Sequence, residues 1–297
     1  MGKKGKKAQA GKPKKLTPKD IGKRLDVLAK KVEEELKGAD LFAPLPPTED
    51  CAICFVPLSP VKCQSFYQAC CGNSICLACH MENKESINKQ NEVKNAGKKL
   101  ALTCPFCREP KPTTGLGFMR QLQSRCLQND PTAFTMMGVV HQNGEHCQPK
   151  NELKALDYWI QAVELGSFEA CNCIASFYHE GNGLSANTER DTLFAKVSAL
   201  RGSIAARHNV GLSEYYDLGN YEIAIRHWKI AAEAGSQCSL NELRDIFNAF
   251  GKKPGKKFIS EEYLDFVLLA CHKAQLEVKS EEREKHSGGN PIIPFTR

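Results

Sequence analysis

Between Cys51 and Arg108 the chain carries four cysteine pairs: Cys51/Cys54, Cys70/Cys71, Cys76/Cys79 and Cys104/Cys107. A Cys-x-x-Cys puts two sulfurs on one tight turn, close enough to share a tetrahedral zinc ion at roughly 2.3 Å per Zn–S bond. Three such pairs, with an adjacent pair between the first and the third, predict a two-zinc module rather than buried structural thiols. The adjacent pair is the irregular one. Its Cα atoms are about 3.8 Å apart, close to the spacing of two ligands on one tetrahedral zinc, so Cys70 and Cys71 can reach the same ion. Cys63 and His80 stand as alternatives to Cys70 for the fourth position of that second site. Metal ligands of this kind would hold together a segment whose own apolar core is thin.

The remaining composition narrows the class. At 297 residues the chain is long enough for two domains, and 41% hydrophobic with 25% charged residues describes an ordinary globular protein. No run approaches the roughly 20 apolar residues that span a bilayer. Fifteen cysteines behind a Lys-rich start without an apolar segment point to a reducing compartment, cytosol or nucleus. Residues 1–20 hold eight lysines against Asp20, which accounts for the whole net charge of +7, so the rest is neutral. Bulk charge therefore does not suggest a nucleic-acid surface. No Ser-His-Asp set, paired carboxylates or phosphate-cradling glycine loop stands out, so no self-contained catalytic centre is expected.

Along the chain, residues 1–15 read as a disordered Lys-rich tail. Residues 16–38 read as an amphipathic helix, with Thr17 as cap, Pro18 at the first position and Asp20 in the first turn. Ile21, Leu25, Leu28, Val32 and Leu36 form one apolar stripe expected to pack on its own protein. Residues 39–50 are a Pro-rich linker and residues 51–110 the zinc module, with a helix expected from about Cys79 and a solvated loop towards Thr103. From residue 130 to 275 an internal repeat sets in. Gly-Ser recurs at 166–167, 202–203 and 235–236, with an apolar helix before and a second helix after each. Trp159, Ala195 and Trp228 share one register, and Ala133/Gly138, Ala170/Ala175 and Ala206/Gly211 supply small residues for close helix contact. A repeat of this length built from two helices predicts a solenoid. In its last helix Tyr263, Phe266, Val267, Ala270 and Ala274 are the expected buried face. Residues 284–297 read as a loose tail. The fold class expected is mainly α: a small two-zinc module followed by an α-solenoid of about four helix pairs.

The short first spacer, the compact centre and the final Cys104-Pro105-Phe106-Cys107-Arg108 resemble a RING-type zinc finger in its all-cysteine variant, with Asn73 where most RINGs place histidine. That resemblance implies a cross-brace, pairs one and three on one zinc ion and pairs two and four on the other. It also implies a ubiquitin-protein ligase with no covalent catalytic residue of its own. A ubiquitin-conjugating enzyme would dock on Ile53 and Pro105, and Arg108 would bridge that enzyme and ubiquitin. The repeats, with Gly181-Asn182-Gly183 at a helix bend, resemble Sel-1-like repeats, which implies recruitment of a protein substrate or partner. The competing expectation is a non-enzymatic zinc-binding scaffold.

Overall fold

The computed structural model describes residues 16–58, 65–93, 101–181, 186–251 and 259–277. The tails at 1–15 and 284–297, Cys63 and most of the Gly181-Asn182-Gly183 bend lie outside these residues.

Each repeated Gly-Ser proves to be a helix stop fused to a helix start. Gly166, Gly202 and Gly235 have φ of 95°, 112° and 97°, a region glycine enters without a Cβ penalty. The next serine N–H then reaches back to the carbonyl of Ala162, Ser198 or Ala231 at 2.9–3.0 Å, closing the helix end. The same serines cap the following helix, their hydroxyls accepting from the N–H groups of Ala170, Ala206 and Ser239.

These joints connect eight helices into four stacked pairs. They are α4 (Pro131–Asn143) with α5 (Glu152–Glu164), α6 (Phe168–Glu180) with α7 (Thr188–Leu200), α8 (Ile204–Leu212) with α9 (Tyr221–Glu233), and α10 (Gln237–Ile246) with α11 (Glu261–Glu277). Both α8 and α10 run on into a π-helical turn, Ser213–Asp217 and Phe247–Gly251. The chain is thus mainly helical, with a solenoid as its larger part.

Close packing within the pairs follows a size rule. A Cβ on Gly138 would lie 2.2 Å from the Trp159 indole nitrogen, and one on Gly211 would lie 2.5 Å from that of Trp228. Each indole N–H donates to a carbonyl three residues before its glycine, Thr135 or His208, at 3.2 Å. In the second pair the tryptophan position is Ala195 and the glycine position is Ala175. Where the register position is an indole, its partner position is a glycine.

The N-terminal helix α1 (Pro18–Lys37) lies across α5 and α7. Ile21, Leu25, Leu28, Ala29 and Val32 are buried in one cluster with Trp159, Ile160, Phe177 and Phe194. Ion pairs flank the stripe: Arg24–Asp157, Asp26–Arg190, Lys31–Glu164 at 3.0 Å and Glu35–Arg201 at 2.8 Å. The chain then straps over α8 and α9. The Leu41 carbonyl accepts from Arg207 at 2.6 Å, and Phe42 lies between His227 and the Arg226 guanidinium.

His227 is fully buried, and neither ring nitrogen has a hydrogen-bond partner among the described residues. Burial, reinforced by the nearby Arg207 cation, holds its pKa at about 4. The unfolded chain takes up this proton near pH 6.5, so stability is intact above that pH and is lost as pH falls towards 4. Between pH 7 and pH 5 the loss is about 2 kcal/mol. His227→Leu is expected to remove that part of the pH dependence in urea unfolding measured at the two pH values.

In α11 the expected buried face holds in part: Val267 is buried and Tyr263 packs against the same cluster, with Ala270 and Ala274 half-buried. Phe266 is the correction, 58% exposed, and Leu264, Leu268 and Cys271 complete the buried face instead.

Candidate metal centre

The four cysteine pairs sit on two near-identical knuckles and the segment between them. In the first, the Cys51 N–H donates to the Val56 carbonyl at 2.9 Å, the Phe55 N–H to Cys51 at 2.9 Å and the Leu58 N–H to Glu49 at 2.8 Å. The second repeats this bond for bond: Cys104 to Glu109 at 2.8 Å, Arg108 to Cys104 at 3.0 Å and Lys111 to Leu102 at 2.7 Å. Phe55 and Arg108 occupy the same left-handed position, with φ of 56° and 66°. A Cys-x-x-Cys-x-x-Pro pattern, Cys51 to Pro57 and Cys104 to Pro110, marks both knuckles in the sequence.

Between the knuckles a short hairpin pairs β1 (Ser65–Tyr67) antiparallel with β2 (Ser74–Cys76), and α2 (Leu77–Val93) follows directly. The helix begins ahead of Cys79, where the sequence placed its start. The hairpin carries Cys70 and Cys71 at its bend, Cys76 at its end and Cys79 in the first turn of α2. The turn needs Gly72: its φ is 80°, and a Cβ would lie 2.2 Å from the Arg125 guanidinium.

This chain path gathers the thiols into two groups of four. The Sγ atoms of Cys51, Cys54, Cys76 and Cys79 lie within 4.8 Å of one another, as do those of Cys70, Cys71, Cys104 and Cys107. Within the groups the sulfurs of Cys54 and Cys76 are 3.9 Å apart, those of Cys71 and Cys104 3.9 Å, and those of Cys70 and Cys107 3.4 Å. A tetrahedron with bonds of about 2.3 Å has edges of about 3.8 Å. Each group could therefore hold one metal ion, and the all-sulfur donor set is compatible with zinc.

The electrostatics of the first group are uneven. Burial works against ionisation of Cys51, yet N–H groups of Cys54, Cys76 and Ile53 bring its thiol down to about 7. Burial and neighbouring thiols push Cys79 up, and Cys70 of the second group likewise. The alternatives for the fourth position fall differently. Cys63 lies outside the described residues. His80 joins neither group: its ring stacks on Phe66 at 4.3 Å, its Nδ1 lies 3.3 Å from Lys111 Nζ, and burial beside Lys111 and Lys84 lowers its pKa.

Of the residues expected to meet a partner, Ile53 and Arg108 are exposed on separate knuckles and Pro105 is half-buried. Sequence reasoning missed two exposed aromatics on the same knuckles, Phe55 and Phe106, 75% and 49% exposed. It also missed α3 (Gly115–Cys126), which with α4 seats the module on the solenoid. Ala69 packs there with Met119, Leu122 and Met137. The Tyr67 hydroxyl donates to Asp130, the cap of α4, at 2.6 Å, and Arg125 pairs with the same carboxylate at 2.9 Å.

No protein-family model matches the chain, and no curated protein matches it. Among solved structures it is similar to a Sel1 repeat protein from Oxalobacter formigenes, 26% identical over 52% of this chain and 64% of that one, with a TM-score of 0.42. It is also similar to c5321, a protective antigen of uropathogenic Escherichia coli strains displaying an SLR fold. There the identity is 19% over 54% of this chain and 32% of that one, with a TM-score of 0.41. The chain thus spans less than two thirds of either protein's length. Among the described residues no helix is long and apolar enough to cross a membrane.

Proposed function

We propose that the chain is a RING-type ubiquitin-protein ligase whose repeats recruit a protein substrate or partner. The observation that carries this reading is the interleaving of the thiols: the first knuckle shares its metal group with Cys76/Cys79, the second shares its group with Cys70/Cys71. Such a brace fixes two knuckles that are far apart in sequence, with Ile53, Phe55, Phe106 and Arg108 exposed on them. Zinc held by four thiolates is coordinatively closed, so it would supply rigidity and no Lewis-acid chemistry. The chemistry would belong to a docked conjugating enzyme, which carries its own reactive cysteine. Ile53 and the half-buried Pro105 would form the apolar seat for that enzyme. Arg108, on the second knuckle, offers a planar fork of donors suited to two acceptors at once, one on the enzyme and one on ubiquitin. The gain would come from restricting the flexible thioester to reactive conformers.

The test is self-ubiquitination of the full chain with a panel of conjugating enzymes, beside Ile53→Ala and Arg108→Ala. Both variants are expected to keep their metal and to lose at least tenfold in rate, about 1.4 kcal/mol of transition-state stabilisation. A folded, metal-loaded chain silent with every enzyme overturns the ligase reading and leaves the second one, a scaffold that assembles proteins without transfer. The second reading is favoured by the solenoid itself, whose stacked pairs present extended surfaces suited to protein partners.

A further inference from the structure

The last helix of the solenoid has two apolar faces, and among the described residues only one is buried against other helices. Leu264, Val267, Leu268 and Cys271 are buried against α9 and α10. On the opposite side, Glu262, Phe266, Leu269, Lys273 and Leu276 follow one another at steps of four, three, four and three. That spacing is the a/d seam of a coiled coil, not the broader stripe of a surface helix. All five are exposed, with Phe266 at 58%, Leu269 at 69% and Leu276 at 48%. In the first two pairs the corresponding helices, α5 and α7, are covered by α1. On α11 no helix among the described residues covers this seam; Lys229 Nζ of α9 lies 5.8 Å from the Phe266 ring centroid, and Lys273 pairs with Glu277 of its own helix at 3.9 Å, both side chains staying exposed.

We propose that this seam is a homodimer interface in which α11 pairs antiparallel with α11 of a second copy. The charges select both occupant and direction. Antiparallel pairing alternates a against d, and one register sets Glu262 opposite Lys273 and Phe266 opposite Leu269. The two-fold axis then repeats both layers. The Glu262–Lys273 pair occurs twice in the dimer, and both apolar layers lie between the two ion pairs. A parallel pair sets Glu262 against Glu262 and Lys273 against Lys273, which repel. The interface is therefore self-complementary in the manner of a closed two-fold dimer. It is one helix pair of about 25 Å, small for a specific interface, so dissociation in the range of about 10 µM is expected.

Sedimentation of the full chain between about 0.5 and 100 µM is expected to show monomer giving way to dimer. Leu269→Glu should keep the helical signal and remain monomeric throughout. Glu262→Lys and Lys273→Glu should each weaken the dimer about tenfold, since either places two like-charge pairs in the seam. The double variant Glu262→Lys/Lys273→Glu should recover the original affinity, which a merely misfolded surface would not do. A chain that stays monomeric, as it would if residues 278–297 or another protein covered the seam, overturns the proposal. So does a dimer indifferent to Leu269→Glu, or a double variant that fails to recover.

Discussion

Cys76→Ser is expected to abolish metal binding at the first thiol group and to unfold the zinc module while the solenoid stays intact. Among the described residues the module's buried cluster holds Cys51, Leu58, Ile75, Cys76, Ala78 and Cys79, and three of those are candidate ligands. So small a core supplies little stability. Structural zinc in comparable small sites contributes about 10–16 kcal/mol of apparent binding free energy, which here is folding free energy. Loss of one ion would release β2 and the start of α2 together with the first knuckle, because the same group joins all three. The solenoid has clusters of its own, built on Trp159 and Trp228, and owes the metal nothing directly. Amide hydrogen exchange is the measurement: protection is expected to vanish over residues 51–58 and 65–93 and to persist from α4 onwards. Persistent protection in the module of a metal-free variant would contradict this.

The second large effect lies in the solenoid. Gly138→Ala is expected to cost about 1–3 kcal/mol by overpacking, since the indole it would strike is fully buried. Trp159→Ala alone should cost about 3–5 kcal/mol through the cavity it leaves. The two are not expected to add. Once the indole is gone the alanine has room, and the second pair carries alanine at both equivalent register positions, Ala175 and Ala195. Urea unfolding of both single variants and the double variant measures the coupling. Strict additivity would show that Gly138 and Trp159 do not share the space the geometry assigns them.

Legibility in the sequence varied with how local the cause was. The Gly-Ser joints were readable because a positive-φ glycine and a capping serine are single-residue requirements. The thiol spacing was readable because a metal fixes the distances between its ligands. Helix α3 was not, because Gly115 and Gly117 weaken its first turn and hide the cap that Thr114 supplies. Phe266 in α11 was placed on the wrong side, although Val267 and Tyr263 were placed correctly, because that helix carries apolar residues on two sides and periodicity alone does not say which side meets α9 and α10. The Tyr67–Asp130–Arg125 link joins residues distant in sequence and leaves no local pattern. Phe55 and Phe106 were passed over because exposed aromatics leave no periodic signal, although the repeated Cys-x-x-Cys-x-x-Pro around them was present.

The most direct measurement is native mass spectrometry of the full, folded chain purified without added metal. Two zinc ions per chain are predicted, falling to no more than one in Cys76→Ser and in Cys104→Ser alike, since these two cysteines belong to different groups. A folded chain that carries no metal, or one whose metal content ignores both substitutions, would contradict the account of two four-thiolate sites bracing the knuckles.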